Sequence, residues 1–260
     1  MNNLSCRACV RVMPALLWCM LLAACSTYQA PGSGGPPNHV VFDNSVAVLG
    51  VVSASKPLSG FKRKELTGKL EAQVRAHQSS ISVLPHNELR QYLSGRGNTI
   101  TDRHQILMGQ YKLYGELSGE HLAMIRESSL PARYVLLARI EKNSTAKFRE
   151  TNNFVRNSRG ELMSDRSEVT LIHQRTVQVS AKTYDVLTGR LVWSQTYTSQ
   201  PEAKNVYTEY TGSSFVGSVA ISLANSFVKG RTSSRFPEAP RATDAVVAAF
   251  RRIGEQMFDR

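Results

Sequence analysis

Val179-Ser180-Ala181-Lys182-Thr183-Tyr184-Asp185-Val186-Leu187-Thr188-Gly189-Arg190-Leu191-Val192-Trp193-Ser194 sets the frame of the fold. Alternating residues lead to Asp185, and a second run containing Trp193 leads away from Gly189. An aspartate there can accept backbone hydrogen bonds, and a glycine four residues on can take positive φ. The pattern predicts two antiparallel strands joined by a tight turn. Upstream, Val169, Leu171, His173, Arg175, Val177, Val179 and Ala181 have one parity, so they share a face of a long first strand.

Towards the N-terminus, residues 141–167 are polar and charged, with a turn signal at Asn157-Ser158-Arg159-Gly160. They read as the tip of a long hairpin or as a loop. Before them, 134–140 is a strand. Residues 46–52 form a continuous apolar run that suits a strand buried on both faces. Residues 61–77 read as a helix, with Leu66, Leu70 and Val74 recurring every four residues. Ile81 and Val83 alternate in a short strand ended by Pro85. Asn87 can cap a short helix over 88–93. Thr101 or Asp102 can cap the next helix, which carries Ile106, Leu107, Leu113, Tyr114 and Leu117, and a further helix covers 120–127. Near the C-terminus, Thr243 can cap a helix whose inner face is Val246, Phe250, Ile253 and Met257. Strands and helices in this order predict an α/β (α+β) fold over residues 40–258. It is a single mixed-sheet sandwich domain, with helices packed on one or both faces of the sheet and a long β-hairpin.

The first 24 residues read as an export signal. Arg7 and Arg11 supply the positive charge, and the apolar run 12–22 is shorter than the roughly 20 residues a spanning helix needs. Leu22-Ala23-Ala24-Cys25 resembles the bacterial lipobox. That resemblance implies a signal peptidase cutting after Ala24, with Leu22, Ala23 and Ala24 as its recognition residues, and covalent lipid (a diacylglycerol and a palmitate-type acyl chain) on Cys25. Ser26 follows, where the enteric inner-membrane retention signal has Asp; the lipobox reading thus implies an outer-membrane lipoprotein facing the periplasm. Cys6, Cys9 and Cys19 lie in the removed part, so the mature chain keeps no free thiol for a disulfide, a metal or a nucleophile. Residues 26–38 contain three Pro, three Gly and two Ser, the composition of a flexible tether within a lipidated segment 25–39. Fully extended, those thirteen residues reach about 45 Å.

The chain carries 32 basic and 20 acidic residues, a net charge of +12. Export argues against nucleic acid as the partner of that surplus. Peptidoglycan or anionic lipid remain as contacts, or the charge merely solvates the surface.

Catalytic signatures are sparse. The sequence holds no G-x-S-x-G elbow, no H-E-x-x-H and no P-loop. Its histidines stand at 39, 77, 86, 104, 121 and 173, no two of them three to five residues apart, so no single helix offers a zinc pair. We therefore expect no catalytic residue, no metal and no cofactor beyond the lipid. His173 reads as a satisfied or edge histidine rather than a ligand.

Leu130-Pro131-Ala132-Arg133, the strand Tyr134-Val135-Leu136-Leu137-Ala138 and the Asp185-to-Gly189 hairpin together resemble an envelope lipoprotein group. That group includes CsgG, LpoB and the N-terminal domain of TolB. The resemblance spans about residues 46–197 and the last helix. It implies an envelope-assembly or accessory factor that binds another envelope protein. The group's two functions are a secretion channel and the activation of a peptidoglycan synthase. Residues 142–166 carry Lys142, Lys147, Arg149, Glu150, Arg156, Arg159, Glu161, Asp165 and Arg166 and cannot face lipid as a channel strand would. The short tether counts against an activator unless the domain is itself elongated. A cell-wall or lipid hydrolase is the third reading.

Residues 215–228 are apolar within a Ser, Thr and Gly-rich region. Phe215, Val216, Val219, Leu223 and Phe227 form either a candidate interaction surface, against membrane or partner, or the inner stripe of a core helix.

Overall fold

The computed structural model describes residues 45–77, 81–94, 102–210 and 235–258. The elements are β1 (Val46–Ser53), α1 (Gly60–His77), β2 (Val83–Leu84), α2 (His86–Leu93), α3 (Arg103–Tyr114), α4 (Gly119–Glu127), β3 (Tyr134–Asn152), β4 (Arg166–Asp185), β5 (Arg190–Ser199), β6 (Glu202–Tyr210) and α5 (Ala242–Phe258). The sheet has six strands in the order β2-β1-β3-β4-β5, with β6 also on β4. β1 is parallel to β2 and β3, while β4 is antiparallel to β3, β5 and β6. This is the mixed-sheet α/β architecture that the alternation of strand and helix patterns predicts.

Helices cover both faces. On one side, Leu66, Leu70 and Val74 of α1 and Val246, Phe250, Ile253 and Met257 of α5 pack on Val48, Leu136, Val179 and Trp193. On the other, Leu89 and Leu93 of α2, Leu107, Met108 and Tyr111 of α3, and Ile125 of α4 pack on Ala47, Leu49, Val135 and Leu137. β1 is buried along its whole length because it lies between these layers. A β-bulge at Leu49 and Gly50 switches its parity: Val46 and Val48 face the α1 side, and beyond the bulge Val51 takes over that face. Gly50 has φ +151°, a conformation that favours glycine, and a Cβ there would also crowd the tip of Met108. Gly254 serves a close approach of helices. A Cβ on it would stand 2.6 Å from His77 Cδ2 and 3.0 Å from the Gln73 carbonyl oxygen.

The Asp185-to-Gly189 hairpin forms as its residues require. Asp185 Oδ1 accepts hydrogen bonds from the Leu187 and Thr188 amides at 2.9 and 3.3 Å, and Gly189 takes φ +68°. Asp185 Oδ2 accepts from Arg133 at 3.2 Å.

Several local expectations need correction. Pro85, not Asn87, stands at the start of α2, and no side chain caps it. Asp102 does cap α3, accepting from the Gln105 amide. The buried face of α3 is His104, Leu107, Met108 and Tyr111, while Ile106, Leu113 and Tyr114 are exposed. Thr243 lies inside the first turn of α5 rather than ahead of it, and its hydroxyl accepts a hydrogen bond from Lys62 Nζ at 2.6 Å. β6 has no counterpart among the sequence expectations.

Candidate interaction arm and buried histidine pair

β1 accompanies β3 only as far as Ile140. β3 continues to Asn152, paired with β4 throughout, so 142–167 is a hairpin and not an irregular loop. β6 pairs with β4 from Gln174 to Arg166, which makes this projection three-stranded. The eleven residues 142–152 carry β3 about 37 Å past the end of β1, at roughly 3.4 Å per residue. The arm exists because β4 has 20 residues and divides them between two partners: β5 pairs from 177 to 185, and β6 from 166 to 174.

The two faces of the arm differ. On the face continuous with α1 and α5, residues 235–241 cross the strands as a strap. His173 Nδ1 donates to the Pro237 carbonyl at 2.9 Å, and Asn205 Nδ2 donates to the Arg235 carbonyl at 3.2 Å. Arg175 Nε donates to the Pro240 carbonyl, and Lys147 stands over the Phe236 ring. His173 is therefore a satisfied histidine, as expected from its strand context. Arg149 and Glu209 form an ion pair across β4 at 2.7 Å. The opposite face carries Phe148, 46% exposed and opposite the buried Ile172, and Val206, 49% exposed and opposite Thr170. At the tip, Asn157 Oδ1 accepts from the Arg159 and Glu161 amides and Gly160 takes φ +82°, closing a small turn. Phe154 and Leu162 stand exposed there beside Arg156. Singly exposed apolar side chains are ordinary, but a row along a projecting sheet suits protein contact.

The helices on the α3 side hold a second feature, which the sequence spacing concealed. His86 and His104 lie 18 positions apart, yet their rings meet edge to face with centroids 5.0 Å apart. His104 Nε2 donates to the Leu49 carbonyl at 2.8 Å, at the bulge of β1. The His86 amide donates to Glu71 Oε1 at 2.7 Å. Burial, with His104 and Arg90 as neighbouring positive groups, pushes His86 down to about 4. Burial also lowers His104, against the pull of its bond to Leu49 and of Asp102. Glu71 is raised by its burial. A carbonyl acceptor on His104 Nε2 means that this nitrogen carries the proton.

Among the described residues, no group of three or more His, Cys, Asp or Glu side chains is placed to hold a metal ion. Leu22, Ala23, Ala24 and Cys25, and the apolar set Phe215, Val216, Val219, Leu223 and Phe227, all lie outside the described residues. The arm was legible only in part, through the charged residues that excluded a lipid-facing strand.

No protein-family model matches the chain, and no curated protein matches it. Among solved structures, the C-terminal domain of LpoB from Salmonella enterica is 14% identical and has a TM-score of 0.34, the match covering 63% of this chain and 87% of that one. The PelC dodecamer from Paraburkholderia phytofirmans is 12% identical with a TM-score of 0.33, covering 85% of this chain and 92% of its own. Lipoprotein GNA1162 from Neisseria meningitidis is 16% identical with a TM-score of 0.32, covering 70% of this chain and 99% of that chain. Bacterial lipoproteins thus stand among the structural neighbours, at a similarity too low to transfer function.

Proposed function

We propose that this chain is a non-catalytic lipoprotein of the outer membrane, moored on the periplasmic face through Cys25, that binds another envelope protein with its arm and so serves envelope assembly. The three-stranded arm is the observation that carries the reading. Ser45, the first described residue, accepts a hydrogen bond from the Tyr134 amide, at the start of β3. The arm's tip lies at the other end of that strand, 19 residues or roughly 60 Å along it. An exposed apolar and basic surface at the end of a long projecting sheet suits a protein that reaches for a partner. Among the described residues no helix is long and apolar enough to cross a membrane. The acyl anchor on Cys25 supplies the attachment in this reading, since two or more chains hold a protein stably where one does not.

Activation of a peptidoglycan synthase is the second reading, and the arm's length favours it: elongation of the domain adds to the reach of a short tether. Both readings face one experiment. The chain is expressed in its host with and without Cys25→Ala, fractionated, and used as bait after mild cross-linking. We expect outer-membrane retention and fatty-acid labelling that disappear in C25A. We also expect an envelope protein captured by the wild type and lost when 153–165 is replaced by a short Asn-Gly turn. A bifunctional synthase as the captured protein selects the second reading. Unchanged retention of C25A contradicts the anchor, and capture that survives loss of the tip contradicts the arm. Sacculus-degrading or lipid-degrading activity abolished by one His or Ser substitution would replace both readings with a hydrolase.

A further inference from the structure

Among the described residues, β1 has a strand neighbour on its outer edge only at Val46 and Ala47, where β2 pairs with it. Past that point, among the described residues, imidazoles occupy the place of a strand. His104 bonds the Leu49 carbonyl, and the buried His86 ring packs edge to face against His104. The first ring hangs from α3 and the second from α2, so α3 is tied to the edge by a bond to the Leu49 carbonyl, and α2 is tied to α3 through the ring pair. His104 is 4% exposed.

The charge around the rings is unbalanced. α1 contributes Glu71, Arg63 and Lys64, with Arg75 beside Glu71; α2 contributes Arg90; the start of α3 contributes Asp102. β1 presents backbone and apolar side chains. Four cations thus face two carboxylates before either imidazole is charged. A neutral His104 can donate to the Leu49 carbonyl, but two imidazolium rings whose centroids are 5.0 Å apart would repel each other and the cations.

We propose that the α2–α3 pair is an acid-released flap on the open edge of β1, held shut at neutral pH by His86 and His104. Protonation favours the open arrangement, in which both rings reach water, and opening uncovers Leu49 and Val52 with the apolar faces of α2 and α3. The linkage gives the size. A ring titrating near 6.5 when open and about 4 when shut raises the opening constant about thirtyfold between pH 7.5 and pH 5. His104 adds to this in the same direction. Glu71, raised by burial, takes up its proton more readily in the shut form and opposes it.

The test is hydrogen exchange by mass spectrometry on the lipidated mature chain at pH 7.5 and pH 5, expressed as protection factors. Peptides from α2 and α3 should lose at least tenfold protection at pH 5 and should stay less protected than those from α5 at both values, since the flap opens without the rest of the fold. In the doubly substituted His86→Gln, His104→Gln chain, which keeps amide donors but cannot titrate there, protection should be the same at both values. Equal protection of the wild-type flap at both values overturns the proposal, as does flap protection equal to that of α5, which would mean the helices open only when the whole domain unfolds. If the double variant does not fold, nitrogen-15 titration of the wild-type imidazoles decides. Rings that stay neutral while the flap is shut support the proposal, and a ring charged at pH 6 under a fully protected flap overturns it.

Discussion

Asp185→Ala should open the hairpin on which the sheet is built. The carboxylate is buried, 3% exposed, and has two tasks. Its Oδ1 closes the turn by accepting from the Leu187 and Thr188 amides, and its Oδ2 receives Arg133. Leu187 is 65% exposed, so the freed amides can turn to water, and each bond counts for about 0.5–1.5 kcal/mol. The Arg133 side chain is 38% exposed, which holds the ion pair to about 1 kcal/mol or less. Together these give a loss of about 2–3 kcal/mol. Asp185→Asn keeps the Oδ1 acceptor of the turn but sets an NH2 donor against Arg133 in place of Oδ2, so it gives up the ion pair and its hydrogen bonds, about 1 kcal/mol. Urea denaturation can be followed through Trp193, which lies on the returning strand, is 6% exposed, and is the only tryptophan after residue 24. A D185A loss below about 1 kcal/mol would show that the turn does not depend on this carboxylate. A D185N loss equal to that of D185A would assign the effect to the ion pair and not to the turn.

Gly254→Ala should destabilise by about 1–3 kcal/mol, despite alanine's better helix propensity, because α1 and α5 must separate around the new methyl; a raised melting temperature would contradict this. Stability should fall as pH drops from about 6.5 towards 4. The unfolded chain protonates His86 in that window and the folded chain does not, giving up to about 1.4 kcal/mol per pH unit. Denaturation midpoints at pH 7, 6 and 5 measure it, and the slope should weaken in His86→Gln. Phe148→Ser with Val206→Ser should change stability by less than about 1 kcal/mol, since both side chains are about half exposed, while reducing capture of the envelope partner.

Local rules made much of the fold legible. The four-residue spacing of Leu66, Leu70 and Val74 gives the buried stripe of α1, and the Asp185-to-Gly189 signal gives the hairpin. The long apolar run of β1 signalled burial on both faces, but nothing in it disclosed the bulge, where Gly50 takes a positive φ. Tertiary context set the phase of α3. His104 turns inward because β1 offers it a carbonyl, leaving Ile106 and Leu113 outside. β6 escaped notice because Glu202–Tyr210 has no apolar run: it is held by backbone pairing to β4, with exposed and half-buried residues alternating along an edge. The histidine pair was hidden for a similar reason. Helix-spacing rules find ligands on one element, and these two rings come from different helices.

Contact between the arm and an envelope partner can be read out in living cells. A photoreactive residue is placed in the lipidated chain at Phe154, and as controls at the exposed Glu120 or Arg251 of the body. If the arm makes the contact, position 154 gives a discrete adduct with one envelope protein, and positions 120 and 251 give none. Adducts from the body positions with no adduct from the tip would contradict it.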